Sequence, residues 1–360
     1  MKDSYPGTSA IVDELAKDVE WNIRPYREGD ISAIVDLINA VDSAYKLGEG
    51  TSAQELAVRF GSPRSVPTRQ IVIAGGTGVP GLADGMAAGY GRVTYEDDHP
   101  ANERMYYANV TVHPAAEGMG LEHVIATKLF EIIRGYETDT EIPPMKEAVL
   151  NAWTREEVIP IRLFWESMGL KEARRFWVMA RNLHDPIDEP QLIEGINIRN
   201  YVRPDDNRRA MIAFDNSFSD HWDHHPPEEE EWDYWMNLAE TRPDLSWLAE
   251  VESEPGTIGG FCICGINEDE NKRKGVSEGW IHILGTTREW RRVGLGRALV
   301  LHGLHSLREA GLDTALLGVD SESPTGANRL YESVGFRVRS REIAFKRPLE
   351  EVEAYRQLTG

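Results

Sequence analysis

The chain repeats itself at an interval close to half its length, and this repeat constrains the fold more than any other feature. The segment WNIRPYREGD, which begins at Trp21, returns as INIRNYVRPDD from Ile196, so that Arg24 matches Arg199. VHPAAEGMGLEHVI similarly matches TTREWRRVGLGRALV, and LFWESMGL matches LYESVGF. Three separated matches at a spacing of about 170 residues indicate two copies of one fold, since a solenoid would need more units.

Length and composition agree with two domains. A chain of 360 residues, of which 41% are hydrophobic, can build two cores of ordinary size. We expect an N-terminal domain over residues 1–185 and a C-terminal domain over residues 195–360, joined by the proline- and acid-rich segment NLHDPIDEPQLIEG.

The chain is strongly acidic, with 60 Asp and Glu residues against 39 Lys and Arg residues and a formal charge of -21. This balance disfavours nucleic acid and anionic membranes as partners and is compatible with a cationic small molecule. The amino-terminal segment has no leader pattern, and no apolar run reaches the ~18 residues of a membrane span, so we expect a cytoplasmic protein. The two cysteines, Cys262 and Cys264, imply no disulfide framework.

The hydrophobic pattern of the second copy predicts antiparallel strands followed by a strand–helix–strand unit. We expect helical structure from about Arg208 to Leu238, a turn at NEDENKRKGVS and a terminal strand or hairpin at FRVRSREIAFKRPL. The other predicted strands are INIRNYV, LSWLAEVE, TIGGFCICGI, GWIHILGT and TALLGVD, and the other helices are GLGRALVLHGLHSLREAG and GANRLYESVG. This order indicates an α/β (α+β) fold with a mixed sheet and helices on its faces.

The segment WRRVGLGRALV combines a turn with the start of a helix. Gly294 and Gly296 have no side chains, so a phosphate can reach the unpaired amides of the helix terminus, where the helix dipole also attracts anions. The pattern is neither a Rossmann turn, because Leu299 stands at the third glycine position, nor a P-loop, because the Gly-Lys-Ser/Thr sequence is absent. Four arginines reverse the local charge of this acidic chain: Arg288, Arg291, Arg292 and Arg297.

The spacing of Arg291, Gly294 and Gly296 resembles the acyl-CoA pyrophosphate turn of the GNAT superfamily of N-acetyltransferases. The later segment GVDSESPTGANRLYESVGF, which contains Asn328 and Tyr331, resembles a second motif of that family. The resemblance covers about the last 65 residues closely and extends over the second copy. It implies two tandem GNAT acyl-CoA N-acyltransferase folds, with acetyl-CoA as the acyl donor.

The resemblance also implies roles for individual residues. In the family, the strand before the turn splays from its neighbour and binds the pantetheine arm and the thioester, which assigns these contacts to the backbone of Leu284, Gly285 and Thr286. Tyr331 matches the position that gives a proton to the departing thiolate. The pyrophosphate contacts fall on Arg291, Arg292, Val293, Gly294, Leu295, Gly296 and Arg297, and Asn328 joins the donor-binding residues.

Two residues are candidates for the general base: His282 in the strand GWIHILGT and Glu278 immediately before that strand. Glu278, Trp280, His282 and Leu284 alternate with apolar residues and glycine, so that one face is expected to carry the titratable groups. His282 has a suitable intrinsic pKa, and Glu278 can act through a water. The alternative for His282 is a hydrogen-bonded, half-buried strand residue without a catalytic role.

A segment rich in histidine and acid, FSDHWDHHPPEEEEWDYW, precedes these strands. Its histidines, His221, His224 and His225, fit no closed zinc pattern, so we expect no metal. In the family this part of the chain lines the acceptor site, which makes the segment a candidate for recognising a cationic acceptor. The alternative is a solvated acidic helix face.

The first copy has lost the residues that the resemblance makes functional. Glu117 stands where Arg291 does, Glu122 where Gly296 does, and Trp165 replaces Tyr331. We therefore expect a degenerate, non-catalytic N-terminal domain that is a structural partner.

The combined expectation is an acetyl-CoA-dependent N-acetyltransferase that acts on a primary amine of a small molecule, by direct transfer in the C-terminal domain of a monomer or homodimer. A non-catalytic acyl-CoA-binding or sensing protein is an alternative that would need the turn but not Tyr331. A scaffold that recruits another protein through the first copy is a third possibility.

Overall fold

The computed structural model describes residues 19–63, 65–83, 85–98, 102–222, 224, 226–323 and 325–353. The chain divides into two compact units. The first unit consists of Met1–Ala173 together with Ile343–Gly360, and the second consists of Arg174–Glu342. Among the helices within those ranges, none is long and apolar enough to cross a membrane.

The first unit has antiparallel strands at its start and a parallel pair after its long helix. β1 pairs with β2, β2 with β3 and β3 with β4 in antiparallel fashion, and β4 pairs in parallel with β5. The elements are β1 (Glu20–Pro25), α1 (Ile31–Tyr45), α2 (Ala53–Phe60), α3 (Pro67–Gln70), β2 (Ile71–Thr77), β3 (Gly89–Asp98), β4 (Glu103–Val112), α4 (Leu121–Glu137), β5 (Glu147–Arg155) and α5 (Ile159–Ser167). α4 buries Leu121, Ile125, Leu129 and Ile133, which recur at the spacing of one helix face.

The second unit repeats this order. Strands β7, β8, β9 and β10 pair in antiparallel succession, β10 pairs in parallel with β11, and β11 pairs antiparallel with β6. The elements are β6 (Lys171–Asn182), β7 (Ile196–Asn200), α6 (Asn207–Phe218), α7 (Glu229–Met236), β8 (Trp247–Val251), β9 (Ile258–Gly265), α8 (Glu268–Lys274), β10 (Glu278–Thr286), α9 (Leu295–Glu309), β11 (Thr314–Asp320), α10 (Ala327–Ser333) and β12 (Arg337–Pro348). The predicted mixed sheet with helices on its faces is confirmed.

The sheet of the second unit has two faces that matter for the site. On one, which we call the α9 face, Ile281 and Leu317 pack with α9. On the other, the α6 face, Phe261 and Ile263 pack with α6 and α7. Cys262 and Cys264 are buried free thiols on the α9 face, so the expectation of no disulfide holds for both of them.

Two local predictions are confirmed and one is wrong. The helical segments expected from Arg208 to Leu238 are α6 and α7, with a loop between them, and the expected terminal strand or hairpin is a strand, β12. The predicted turn at NEDENKRKGVS instead contains α8, whose first turn is capped by the Asn267 side chain, which accepts a hydrogen bond from the Glu270 amide at 2.9 Å. Three acids then open the helix and three bases close it, which suits the helix dipole.

The division of the chain also differs from the predicted boundary in the segment NLHDPIDEPQLIEG. It falls after Ala173, and the last residues of the chain belong to the first unit. Pairing explains the first change, because Phe176–Asn182 of β6 pair with β11 of the second unit. Packing explains the second, because Ile343 and Phe345 are buried in the first unit's core. Linker composition could not show this, since strand pairing and core packing decide where a chain divides.

Candidate active site

Strand β10 separates from β11 halfway along its length. The last parallel pair joins Ile281 to Leu317. Beyond it, β11 continues to Asp320 beside β6, whereas β10 continues to Thr286 beside β9 alone. Two strands that separate in this way open a gap with backbone N–H and C=O groups along its edges, and such groups need partners. The splay that the family resemblance implies is present.

A β-bulge sets the direction of the side chains at this gap. The pairing of β10 with β9 shifts register between Ile281 and Ile283, which makes His282 the extra residue. Ile281 and Leu284 consequently pack on the α9 face, whereas Ile283 packs on the α6 face. The prediction that Leu284 shares a face with Glu278 and His282 is wrong, because the bulge reverses the alternation between them.

The turn before α9 presents free amides at a helix terminus. Gly294 adopts φ 92° and caps the helix, and Arg292 adopts φ 65°. The first intrahelical donor is the amide of Ala298, which bonds the Gly294 carbonyl at 3.0 Å. The amides of Leu295 to Arg297 precede it and point out of the helix end, as an anion site requires.

Gly296 lies where the turn meets α10. A Cβ atom at Gly296 would be 3.4 Å from Leu330 Cδ2 and 3.7 Å from Thr286 Cγ2. A methyl group would fit there, but a long side chain would have to displace Leu330 or fill the approach to the amides.

The arginines of the turn are not equivalent. Arg291 donates to the Asp220 carboxylate at 2.8 Å and to the Ser217 carbonyl at 2.9 Å, so it fastens the end of α6 to the turn. Arg297 donates to Asp188 at 2.6 Å. The exposed Arg292 has no ion pair among the described side chains, which leaves its charge the most available for a phosphate.

Helix α10 supplies two polar groups beside the turn. The Asn328 amide nitrogen donates to the Ser321 carbonyl at 2.8 Å, and its Oδ1 atom is buried without a hydrogen-bond partner. Tyr331 is buried, with its ring edge-to-face against Phe336 at 6.0 Å. Burial raises the pKa of Tyr331 above its ordinary value, so the hydroxyl stays protonated and can act only as a proton donor.

His282 lies on the α6 face over Gly265. A Cβ atom at Gly265 would approach His282 Nε2 to 2.2 Å, so only glycine leaves room for the imidazole. Trp280 stacks parallel to the imidazole, with the ring centroids 6.1 Å apart. Part of the His282 surface is open to solvent, yet the surrounding burial lowers the pKa of His282 to about 4. With this pKa the imidazole is uncharged at neutral pH.

Glu278 is held away from the bulge. It lies at the start of β10, in the part that still pairs with β11, and it accepts a hydrogen bond from Arg339 at 2.6 Å. Four residue-to-residue steps along the strand lead from Glu278 to His282, a rise of about 13 Å. The structure therefore does not bring Glu278 and His282 together.

Asp320 is a carboxylate that sequence reasoning missed. It ends β11 on the α6 face, opposite to Val319, and its side chain is only 6% exposed. Its nearest described cation is Arg174, whose Nε atom is 3.8 Å from the carboxylate. Burial lowers the pKa of the neighbouring His221, and the charge of Asp320 opposes that shift. The signal that could have identified Asp320 is a polar residue at the carboxyl end of a parallel strand.

The histidine-rich segment between α6 and α7 is packed among aromatic rings. His221 contacts Phe218 with the ring centroids 4.7 Å apart, and His224 bonds the Asp215 carboxylate at 3.0 Å. No group of side chains suited to a metal ion occurs in the part of the chain that is described. His225 lies outside the described residues.

The equivalent turn of the first unit holds its own carboxylates. Gly118 and Gly120 adopt φ 74° and 78°, and the Gly118 amide donates to Glu122 at 3.4 Å. Glu117 is half-buried and accepts the Tyr45 hydroxyl at 2.8 Å. Burial raises the pKa of Glu117, against the effect of the Tyr45 hydrogen bond.

Strand β4 of the first unit leaves β5 as β10 leaves β11, but it does so without a bulge. All ten residues of β4 pair with β3 in one register. The last parallel pair joins Ala108 to Ala152, after which β4 continues to Val112 and β5 to Arg155. The two units therefore differ in the bulge at His282 and in the residues of the turn, and not in the separation of the strands.

Comparisons with known proteins agree with this geometry. Residues 208–336 match the model of the Acetyltransferase (GNAT) family. A mycothiol acetyltransferase of Thermobispora bispora is 27% identical over 325 residues, which cover 89% of this chain and 96% of the relative. One of Salinispora tropica is 30% identical over 233 residues, which cover 63% of this chain and 68% of the relative.

Solved structures extend the likeness to the whole fold. A GCN5-related N-acetyltransferase from Sphaerobacter thermophilus has a TM-score of 0.71 and 26% identity, with 91% of this chain and 95% of that chain covered. A tandem GNAT protein from the clavulanic acid biosynthesis pathway has a TM-score of 0.64 and 13% identity, with 91% of this chain and 98% of that chain covered, which shows the fold alone.

Sequence and fold therefore define an acyltransferase. The chain belongs to the GNAT family of N-acetyltransferases, in the tandem form that carries two copies of the fold. Acetyl-CoA is the acyl donor of this family, and the second unit offers groups able to hydrogen-bond such a molecule: the backbone of the gap, the free amides and the unpartnered Asn328 Oδ1 atom.

Proposed function

We propose that the second unit transfers the acetyl group of acetyl-CoA directly to the primary amine of a small molecule, and that the first unit has no catalytic role. The observation that carries this proposal is that the bulged strand, the free helix terminus and Tyr331 all belong to the second unit. The name of the relatives, mycothiol acetyltransferase, supports a small-molecule acceptor.

The donor side needs an ordered thioester. In this proposal the backbone of Leu284, Gly285 and Thr286 holds the pantetheine arm and the thioester, and the Asn328 Oδ1 atom accepts a hydrogen bond from an amide of the arm. The pyrophosphate lies on the amides from Arg291 to Arg297, with the Arg292 side chain beside it.

Transfer forms a nitrogen–carbon bond and breaks the carbon–sulfur bond, whose electron pair stays on sulfur. Tyr331 gives its proton to that sulfur. The residue is buried, and its hydroxyl makes no hydrogen bond with any described residue, so the proton is not committed elsewhere. The raised pKa makes Tyr331 a weak acid at rest, and the developing thiolate supplies the driving force.

The amine must lose a proton, and three groups are candidates for the base. His282 lies at the bulge on the α6 face and is uncharged at neutral pH, which makes it our first choice. Its low pKa means that it accepts a proton only as the nitrogen–carbon bond forms. Glu278 is a candidate through a water, although its ion pair with Arg339 holds it at the paired end of β10. Asp320 is the third.

The acceptor in this proposal is a cation that enters from the α6 face. Asp320 places a buried negative charge there, and Phe214 and Phe218 stack against each other on α6 with the ring centroids 4.7 Å apart. Aromatic faces and a carboxylate together suit a protonated amine. The overall charge of -21 favours the approach of such a molecule.

The test is thiol release from acetyl-CoA with a panel of small amines, including amino sugars, polyamines and aminoglycosides. We expect Tyr331→Phe to lower kcat about 100-fold and to leave acetyl-CoA affinity nearly unchanged, because only the proton donor is lost. Tyr95→Phe, a tyrosine of the first unit, is the control and should leave kcat unchanged. Equal turnover in Tyr331→Phe would remove this residue from the mechanism.

The non-catalytic alternative makes a different prediction for the same experiment. An acyl-CoA sensor would bind acetyl-CoA tightly and release no thiol with any amine of the panel. Thiol release that depends on both the amine and Tyr331 would exclude it.

A further inference from the structure

The Ser217 hydroxyl is a buried hydrogen-bonding group without a partner. Ser217 is 4% exposed and its Oγ atom makes no hydrogen bond. A serine near the end of a helix ordinarily bonds a carbonyl of the preceding turn, and buried hydroxyls nearly always find a partner. A partner supplied by a ligand would satisfy this one.

The hydroxyl lies beside the open part of β10. A Cβ atom at Gly285 would be 3.1 Å from the Ser217 Cβ atom, so the two residues face each other across the α6 face. Gly285 belongs to the stretch of β10 that no longer pairs with β11. Ser217 is therefore placed against the backbone to which the proposed function assigns the thioester.

Two hydrogen bonds hold the end of α6, and with it Ser217, beside the turn that follows β10. Arg291 donates to the Ser217 carbonyl at 2.9 Å, and the Arg288 amide donates to Asn216 Oδ1 at 3.1 Å. The end of α6 is thus bound to the turn through other atoms. The Ser217 hydroxyl therefore has a defined position and is still free to form a hydrogen bond of its own.

The first unit has no hydroxyl at this place. Asp30 and Asp206 occupy equivalent positions, since each precedes its helix and pairs with the repeated arginine, Arg24 or Arg199. Val41 follows Asp30 at the same distance as Ser217 follows Asp206. Of these two equivalent positions, only the one in the second unit carries a hydroxyl.

We propose that the Ser217 hydroxyl donates a hydrogen bond to the carbonyl oxygen of the acetyl group of bound acetyl-CoA. This inference rests on the proposed function and adds a side-chain donor to the backbone contacts of the donor site. Because charge grows on that oxygen as the nitrogen–carbon bond forms, the donor also stabilises the transition state. Free CoA has no acetyl oxygen, so the hydroxyl also gives the site a preference for the acetylated form.

The experiment compares calorimetric titrations of acetyl-CoA and of free CoA into the full chain. We expect Ser217→Ala to reduce the preference for acetyl-CoA over CoA by about threefold to tenfold, as for one hydrogen bond, and to leave CoA affinity unchanged. Ser217→Thr keeps the hydroxyl and should keep most of the preference. Ser219→Ala removes an exposed serine two residues away and is the matched control.

An unchanged preference in Ser217→Ala would overturn the inference even if the wild-type protein acetylates amines. A reduced preference would support it even if no amine of the panel is acetylated, in which case only the acceptor part of the proposed function fails. Wild-type protein that binds neither compound would overturn both.

Discussion

The turns before α4 and α9 have the same pattern of backbone conformation but carry residues of opposite charge. In each, two residues with positive φ lead into a long helix: Gly118 and Gly120 in the first unit, Arg292 and Gly294 in the second. In the first, the Glu122 carboxylate accepts an amide of the turn, whereas the corresponding position of the second is Gly296. A helix terminus thus attracts an anion in both units, and the residue in its first turn decides whether the chain itself supplies that anion.

The strands beside the turns differ in the same sense. β4 pairs along its whole length with β3, but the bulge at His282 interrupts the pairing of β10 with β9. Both strands leave their parallel neighbour, so the bulge and the free turn, and not the separation itself, distinguish the second unit from the first. This comparison explains how one fold can occur twice in a chain that has one proposed donor site.

The largest expected effect comes from giving the second unit the first unit's residue. Gly296→Glu should weaken acetyl-CoA binding at least about 100-fold, because the carboxylate occupies the amides and repels the pyrophosphate. Gly135→Glu places the same side chain in open space on α4 and should have no effect on binding. Tight binding by Gly296→Glu in calorimetry would show that the turn is not the pyrophosphate site.

The reverse exchange, which gives the first unit the second unit's residues, tests whether a free turn is sufficient for acetyl-CoA binding. The double variant Glu117→Arg with Glu122→Gly frees the first unit's turn, but we expect no second acetyl-CoA site because β4 pairs with β3 without the bulge of β10. Urea unfolding should show a loss of about 1–2 kcal/mol, since Tyr45 loses its acceptor. A second binding event in calorimetry would contradict the importance of the bulge.

Substitution of Arg292 measures separately what the turn costs in stability and what it contributes to acetyl-CoA binding. Arg292→Gly, which copies Gly118, should raise the free energy of unfolding by up to about 1 kcal/mol, because glycine adopts positive φ without strain. The same change should weaken acetyl-CoA binding about tenfold, since one cation is lost. Arg292→Lys keeps the charge and should change affinity less. A variant that is both more stable and equally tight would show that Arg292 does not contact the donor.

The smallest expected effect concerns pH. His282 has a folded-state pKa of about 4, below the ordinary histidine value of about 6.5, so the unfolded chain binds more protons between these values. The stability that depends on His282 is complete above about pH 6.5 and falls as the pH is lowered towards 4. His282→Gln should remove this slope, and the first unit has no counterpart because His282 is the extra residue of the bulge. Equal urea midpoints for both proteins at every pH would contradict the shift.

Much of this comparison could be predicted from the sequence. The repeat indicated two copies, and the alternation of apolar residues gave the strand order on both sides of the turn. The turn and α9 were readable because glycine, arginine and the helical spacing of leucines act locally. The signals for α8 were also present, in the Asn267 cap and the order of charges, but the polar composition concealed them.

The remaining features depend on contacts distant in sequence. A bulge such as the one at His282 follows from the fit of two strands, so alternation along one strand placed Leu284 on the wrong face. The arginine cluster looked uniformly available, but Asp220 and Asp188 neutralise part of it from other segments. Ser217 gave no signal at all, because an isolated serine gains meaning only beside Gly285.

The most direct measurement of the central claim is the stoichiometry of acetyl-CoA binding to the full wild-type chain by calorimetry. One site per chain is the predicted result, since the second unit combines free amides with a bulged strand, whereas the first has Glu122 at its turn and no bulge in β4. Two sites would contradict the account, because they would show that the first unit binds the donor in spite of Glu122 and its regular strand.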